Sequence, residues 1–514
     1  MFERTNGTQI EDRSDSTRPA TDHAGPPSAP TPVAAPPQPS RVGGRTPPPL
    51  THLPFAVLLL AGAILRFMSW RAYRPALLYP DSRSYLMGAV YHELNNIRPS
   101  GYSVFLWPFL HLGGLSTITF VQHLMGLAMA VAIYLLLLRR PVWPWLAALA
   151  TAPLLLDSLQ LVIEQYVMAD VLFEALLLTA CLLLLWRPRP DWRLVVAAGL
   201  ALGLAAVVRG AGTLLVLPAA VTVLALATGW QRTVRLLVAL ALGFALPVAG
   251  YAVGYDVQHG QLALTSYTSR FLYSRLAPIA DCSGLTLPAY ERSLCPSEPV
   301  GERMSANAYM WKLSLSPQYH VRPPPGMRVE QVLADFNRRI ILHQPVRYAQ
   351  LVGRDFLRSF QPFRTVEPDD VALSPWLFAT SLPKNGVRNL AGLYREFAGY
   401  GPVLDRPLAS ALTSFQRVGH TPGPVLAACA MAALLAALGV GRSRRSGLRV
   451  AAWTFAAVCL VPLVTAAMSS PFSWRYQLPQ LVLLPPAGAL GLTALVRRPA
   501  PDDRSDDDQG GESM

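Results

Sequence analysis

The sequence predicts an all-α polytopic membrane protein, on three observations. Of its 514 residues 52% are hydrophobic and 15% charged, with a mean hydropathy of +0.31, whereas soluble domains carry about 25% charged residues. The apolar residues gather into runs of roughly 17–25, long enough to cross a bilayer as helices. The arginines cluster in short loops between those runs, as cytoplasmic loops of membrane proteins do. The net charge of +13 therefore needs no nucleic-acid partner to explain it.

Taken in order, residues 1–50 are rich in Pro, Ser and Thr and lack an apolar period, which predicts a disordered cytoplasmic tail. It does not read as a signal peptide, because the apolar segment comes late and opens a long multispanning chain. About ten spans follow, near 53–72, 115–138, 142–157, 170–186, 194–208, 211–227, 234–254, 423–440, 450–468 and 478–496. Arg139 and Arg140, then Arg187, Arg189 and Arg193, follow alternate spans. Arg232 and Arg235, then Arg442, Arg444, Arg445 and Arg449, and finally Arg497 and Arg498, continue the pattern. All of these clusters share one side if both termini are cytoplasmic.

The predicted organisation is thus a transmembrane module at 51–254, an extracytoplasmic loop domain at 255–422, further transmembrane helices at 423–496 and an acidic disordered cytoplasmic tail at 497–514. Three more segments face outward, a first loop at about 73–114, a short turn at 158–169 and a short loop at 469–477. Within the first loop, 101–112 is apolar but short, which suits an interfacial helix. In the long loop, 328–360 has helical spacing interrupted at Pro345, and 361–420 has no clear period. Cys181, Cys429 and Cys459 lie in apolar runs. Cys282 and Cys295 share the long loop, either as a disulfide of an oxidising compartment or as two free thiols.

The residues that could do chemistry lie in the outward segments. Asp81, in LYPDSRSY, is a lone carboxylate just beyond the first span. With Ser82 it could cap a short helix running to Tyr91, or accept a proton from an acceptor hydroxyl. Arg475 and Tyr476 sit in SSPFSWRYQLP, where the arginine either snorkels to headgroups or forks a phosphate. Arg209, in VVRGAG, stands at an outward helix end against the positive-inside trend. Glu164 and Asp170 flank the 158–169 turn. Asp170 could cap the fourth span, and either could give the cavity a second carboxylate. A divalent cation between them and Asp81 is a candidate cofactor, without a ligand-spaced motif to support it. The histidines form no metal spacing, and His123, in FVQHLMG, reads as packed. No Walker loop or GxSxG appears.

These segments resemble the GT-C superfamily of membrane glycosyltransferases, in the branch of protein mannosyltransferases and lipid A aminoarabinose transferases. The similarity runs through YPDSRSY, RPSGYSVFLWP, VQHLMGLAMAVAIYLLLLRR, EQYVMADVLFEALLL, VVRGAG and RYQLPQLVLLP, in that order. It covers roughly 53–230 and 469–496. The resemblance implies a plasma-membrane enzyme that transfers a sugar from a polyprenyl-phosphate donor to an envelope glycan, lipid or protein hydroxyl at the extracytoplasmic face. It also implies Asp81 as general base, with Arg475, Tyr476 and Arg209 at the donor phosphate. Ser82 stands where many members carry a second acid, which weakens a protein-mannosylating role and any metal role. The rival readings are a lipid-linked sugar flippase or transporter, and a non-catalytic envelope scaffold.

Overall fold

A computed structural model describes residues 49–382 and 390–497. The disordered tails expected at 1–50 and 497–514 lie, but for their innermost residues, outside the described residues. The first module holds α1 (Leu53–Ala72), α2 (Pro80–Tyr91), α3 (Gly101–Leu112), α4 (Gly114–Arg139), α5 (Pro144–Leu149), α6 (Ala152–Leu156) and α7 (Ser158–Gln165). It continues with α8 (Asp170–Leu185), α9 (Trp192–Val208), α10 (Val216–Leu226) and α11 (Trp230–His259). The long loop contains α12 (Thr268–Leu276), α13 (Ala306–Trp311), α14 (Val329–His343), α15 (Pro345–Arg358), α16 (Leu390–Ala398) and α17 (Arg406–Phe415). Then come α18 (Gly423–Ala437), α19 (Arg449–Ser469) and α20 (Leu478–Val496).

The protein is a mostly helical polytopic membrane protein, and every predicted span contains a helix. Among the described residues, five helical segments are long and apolar enough to cross a membrane alone: α1 with its leading turn, α4, α11, α19, and α20 with the 3-10 turn that opens it. A sixth is broken, with α5–α6 and α7 meeting at 50°. Three shorter apolar helices lie at Trp192–Val208, Gly210–Leu226 and Gly423–Ala437. Small residues let these helices approach backbone to backbone. A Cβ on Gly199 of α9 would lie 2.4 Å from the Leu240 carbonyl, and one on Gly243 of α11 would lie 2.3 Å from the Val196 carbonyl.

The 158–169 turn is not an outward loop. It forms α7 and its exit, and every residue of it is buried. Asp157 makes this stable by accepting the Leu159 N–H at 2.9 Å and the Thr421 N–H at 2.7 Å, while Arg364 grips both its oxygens at 3.0 and 2.9 Å. The bend at Asp157 thus has its polar groups satisfied by neighbours, as a broken helix at membrane depth requires.

The long loop does not share one core either. Residues of α12 to α14, including Tyr273, Leu276, Leu333, Phe336 and Ile340, form a separate hydrophobic core, and Cys282 is disulfide-bonded to Cys295 nearby. Trp376, Phe378, Leu393, Tyr394 and Leu412 instead join the main core of the bundle. A two-residue antiparallel ladder, Tyr73 with Leu404 and Arg74 with Val403, ties this second half to the end of α1. Pro345 ends α14 and starts α15, as its missing N–H and ring predict.

Candidate active site

Two chain segments are zipped together beneath the site. Leu77 donates its N–H to the Gln165 carbonyl at 2.9 Å, and Val167 donates to the Leu77 carbonyl at 3.1 Å, so Leu77 and Tyr166 form a parallel bridge. Four residues beyond each bridge partner stands a carboxylate, Asp81 on one segment and Asp170 on the other. Pro80 opens α2, where its missing N–H costs nothing. Ser82 accepts the Tyr79 N–H at 2.9 Å and donates to the Val167 carbonyl at 2.9 Å. Of the two residues expected to cap this helix, Ser82 does so, and the Asp81 carboxylate is left for other partners. Asp170 likewise sits in the first turn of α8 without making a side-chain cap.

Three arginines converge on these two acids. Arg475 comes from the 3-10 turn Trp474–Gln477, which is held by Trp474 Nε1 to the Thr365 carbonyl at 2.7 Å and by Gln477 Nε2 to the Ser359 carbonyl at 2.8 Å. It bridges the pair, with Nε 3.0 Å from Asp170 Oδ1 and NH1 3.1 Å from Asp81 Oδ2. Arg209, at the C-terminus of α9, pairs with Asp170 Oδ1. Arg98, which the sequence reading did not single out, pairs with Asp81 Oδ2. The Asn95 side chain fixes its loop by accepting the Ile97 and Arg98 N–H groups at 2.8 and 3.2 Å. Gly101, just after it, packs so closely that a Cβ would lie 2.5 Å from the Val207 carbonyl, which brings this loop to the end of α9.

The arrangement has two consequences. Both arginines on Asp81 use Oδ2, so Oδ1 has no hydrogen-bond partner among the described residues. Three guanidiniums against two carboxylates also leave one positive charge unmatched. Burial pushes the Asp81 pKa up, but Arg98 and Arg475 outweigh it and hold the acid below its ordinary value. The resting carboxylate is therefore ionised and weakly basic.

Asp81, Arg98, Arg209, Arg475 and Tyr476 line a cavity of about 580 Å³. One wall is apolar, from Phe173 of α8, Val208 of α9 and Pro462 of α19; another comes from α12 and α13, with Thr268, Phe271, Met310 and Trp311. Tyr476, expected at a phosphate, stands with its ring 5.9 Å from the Arg209 guanidinium carbon. A larger groove of about 750 Å³ runs between α5, α6, α18 and α20, but its lining is apolar apart from a few groups near Asp157 and His420, and Arg364 already occupies Asp157.

Glu164 is not in the cavity. It lies in the bundle interior, 2.7 Å from Arg66 NH2 and 2.8 Å from His123 Nδ1, with Gln160 linking it to Glu174 at 3.2 and 2.9 Å. His123 is packed as expected, its Nε2 2.9 Å from the Gln165 side chain. Arg98 was open to the argument that picked out Arg209, an arginine in an outward loop against the charge bias. Among the described residues no group of three or more His, Cys, Asp or Glu side chains is placed to hold a metal ion.

No protein-family model and no curated protein matches the chain. Among solved structures, the crystal structure of ArnT from Cupriavidus metallidurans bound to undecaprenyl phosphate is similar over 86% of this chain and 78% of that one. Identity is 16% and the TM-score 0.33, a likeness too loose to assign family, substrate or residue roles.

Proposed function

We propose that the protein is a glycosyltransferase that moves a sugar from a polyprenyl-phosphate donor to an acceptor hydroxyl at the extracytoplasmic face of the plasma membrane. The observation that carries this reading is Asp81 at the cavity wall, with Oδ2 held by two arginines and Oδ1 unpartnered. The acceptor hydroxyl gives its proton to Oδ1 as its oxygen bonds to the anomeric carbon. The bond from that carbon to the phosphate oxygen breaks, and the electron pair leaves with the phosphate.

Charge balance supports the assignment. The donor phosphodiester carries one negative charge, which matches the one unmatched guanidinium. After transfer Asp81 is protonated and the product phosphate monoester approaches two negative charges, again matched by the three arginines and Asp170. Cations preorganised where charge develops in this way stabilise a transition state.

The low basicity of resting Asp81 also fits a sequence of events. A phosphate that engages Arg98 and Arg475 draws them from Oδ2, which raises the basicity of Asp81 as the donor arrives. The apolar wall of α8, α9 and α19 suits the prenyl chain, and the wall from α12 and α13 suits the acceptor. The test is transfer of label from polyprenyl-phosphate pentoses and hexoses in membranes containing the protein and in membranes lacking it. Protein-dependent transfer from at least one donor is expected, and transfer from none would refute the reading.

A further inference from the structure

α15 is amphipathic, and its apolar face is unpartnered. Val346, Ala349, Gly353 and Leu357 recur at helical spacing along one side. Leu342 at the end of α14 and Phe363 beyond α15 extend the stripe, and Leu342, Val346, Leu357 and Phe363 are each 66–68% exposed. The opposite side is fully engaged. Asp355 pairs with Arg275 at 2.6 Å, and Arg358 pairs with Asp370 at 2.6 Å.

The position of this helix is set by its two ends. Near the start, the Tyr348 hydroxyl donates to the Met468 carbonyl at 2.9 Å, in the last turn of α19. At the end, Ser359 receives Gln477 on its carbonyl at 2.8 Å and Gln480 on its hydroxyl at 3.0 Å, at the start of α20. Two residues on, Gln361 accepts the N–H of Gly423, where α18 begins, at 3.1 Å. Eleven residues of helix, about 16 Å, are thus pinned along the same end of three apolar helices. A helix held in that way runs across the ends of those helices.

We infer that the stripe of α15 seats in the headgroup–acyl boundary of the bilayer, at the end of the bundle that carries the candidate site. The occupant is lipid because α15 is tied to the ends of α18 and α19, where Val425, Val464 and Met468 are likewise exposed apolar residues. Arg347 and Arg354 flank it as exposed cations, the side chains that interfacial helices direct to headgroups, although Arg347 also donates to the Ile279 carbonyl and Arg354 lies 3.3 Å from Asp355 Oδ1. The inner face of α15 packs on the 470–477 loop through Phe472, whose ring lies 4.2 Å from the Arg358 guanidinium carbon. A membrane-seated α15 would therefore brace the loop that presents Arg475.

The test is site-directed spin labelling of the full chain in vesicles of phosphatidylethanolamine and phosphatidylglycerol. Nitroxides go on Val346→Cys and Leu357→Cys, with Arg354→Cys as the water-side control and the labelled unsubstituted protein as background for its own cysteines. At 346 and 357, collisions with oxygen are expected to exceed those with a water-soluble nickel chelate, with the order reversed at 354. Nickel collisions dominating at 346 and 357 would place the face in water and overturn the inference. Exclusion of both reagents there would mean that a protein surface covers it, which overturns it equally.

Discussion

The protein has two buried charge clusters within a few residues of each other, and they differ in kind. Glu164, near the end of α7, is enclosed by Arg66, His123 and Gln160, lies outside the cavity that Asp81 borders, and has both oxygens occupied. Asp170, six residues later, joins Asp81 in a cluster that borders open space, carries a surplus cation and leaves Asp81 Oδ1 and Asp170 Oδ2 without partners among the described residues. Burial and charge alone do not mark a reactive site. Incomplete pairing beside a cavity does, because it leaves room for a ligand of opposite charge.

The largest expected effect falls on the open cluster. Asp81→Asn should lower transfer to a hydroxyl acceptor by about 10²–10⁴-fold, the usual contribution of a positioned base, with folding and donor binding kept. Arg475→Lys comes next. A single ammonium cannot bridge Asp81 and Asp170 as the planar guanidinium does, and loss of oriented transition-state charge costs roughly 10²–10³-fold. Both are read as initial rates at saturating donor. An Arg475→Lys protein at the wild-type rate would leave Asp81 without its proposed phosphate partner.

The closed cluster should respond in the opposite currency. Arg66→Ala leaves Glu164 buried with only His123 and the Gln160 amide beside it, and breaking a buried pair in this way costs about 3–5 kcal/mol of stability. Thermal unfolding in detergent should shift strongly, while the rate per folded molecule stays near wild type. A normal melting temperature with lost activity would blur the contrast between the clusters.

The smallest effect lies outside the bundle, in the separate core. Burial and the neighbouring Asp335 carboxyl push the Glu291 pKa from its ordinary 4.5 up to about 7. The folded protein therefore holds a proton there that the unfolded chain releases above about 4.5. This contribution to stability is complete at lower pH and is lost as pH rises through about 7. Melting of this region should fall between pH 5 and 7.5, and Glu291→Gln should flatten the slope.

Much of this was legible in the sequence because apolar runs are local signals. The helices, the break at Pro345 and the short helix at 101–112 each follow from composition and period. The shared sidedness of Asp81, Arg209 and Arg475 follows from arginine placement. The Leu77–Tyr166 bridge was not legible, because a single pairing between distant segments has no period. Without it nothing in the residue pattern sets Asp81 beside Asp170. Glu164 was misplaced for a related reason: the polar groups of α7 look like a loop until Arg66 and His123 are known to face them. The long loop read as one domain because 361–420 has no period to show that it returns to the main core.

If Asp81 supplies basicity rather than shape, azide should replace the hydroxyl acceptor when that carboxylate is removed. Azide attacks an anomeric carbon without giving up a proton, so it needs no base. Product should be measured for Asp81→Asn with labelled polyprenyl-phosphate sugar, using a hydroxyl acceptor and then azide. The account predicts glycosyl azide at a rate near wild type, with almost no transfer to the hydroxyl. Loss of both products, with donor still bound, would show that Asp81 builds the site instead of acting as its base.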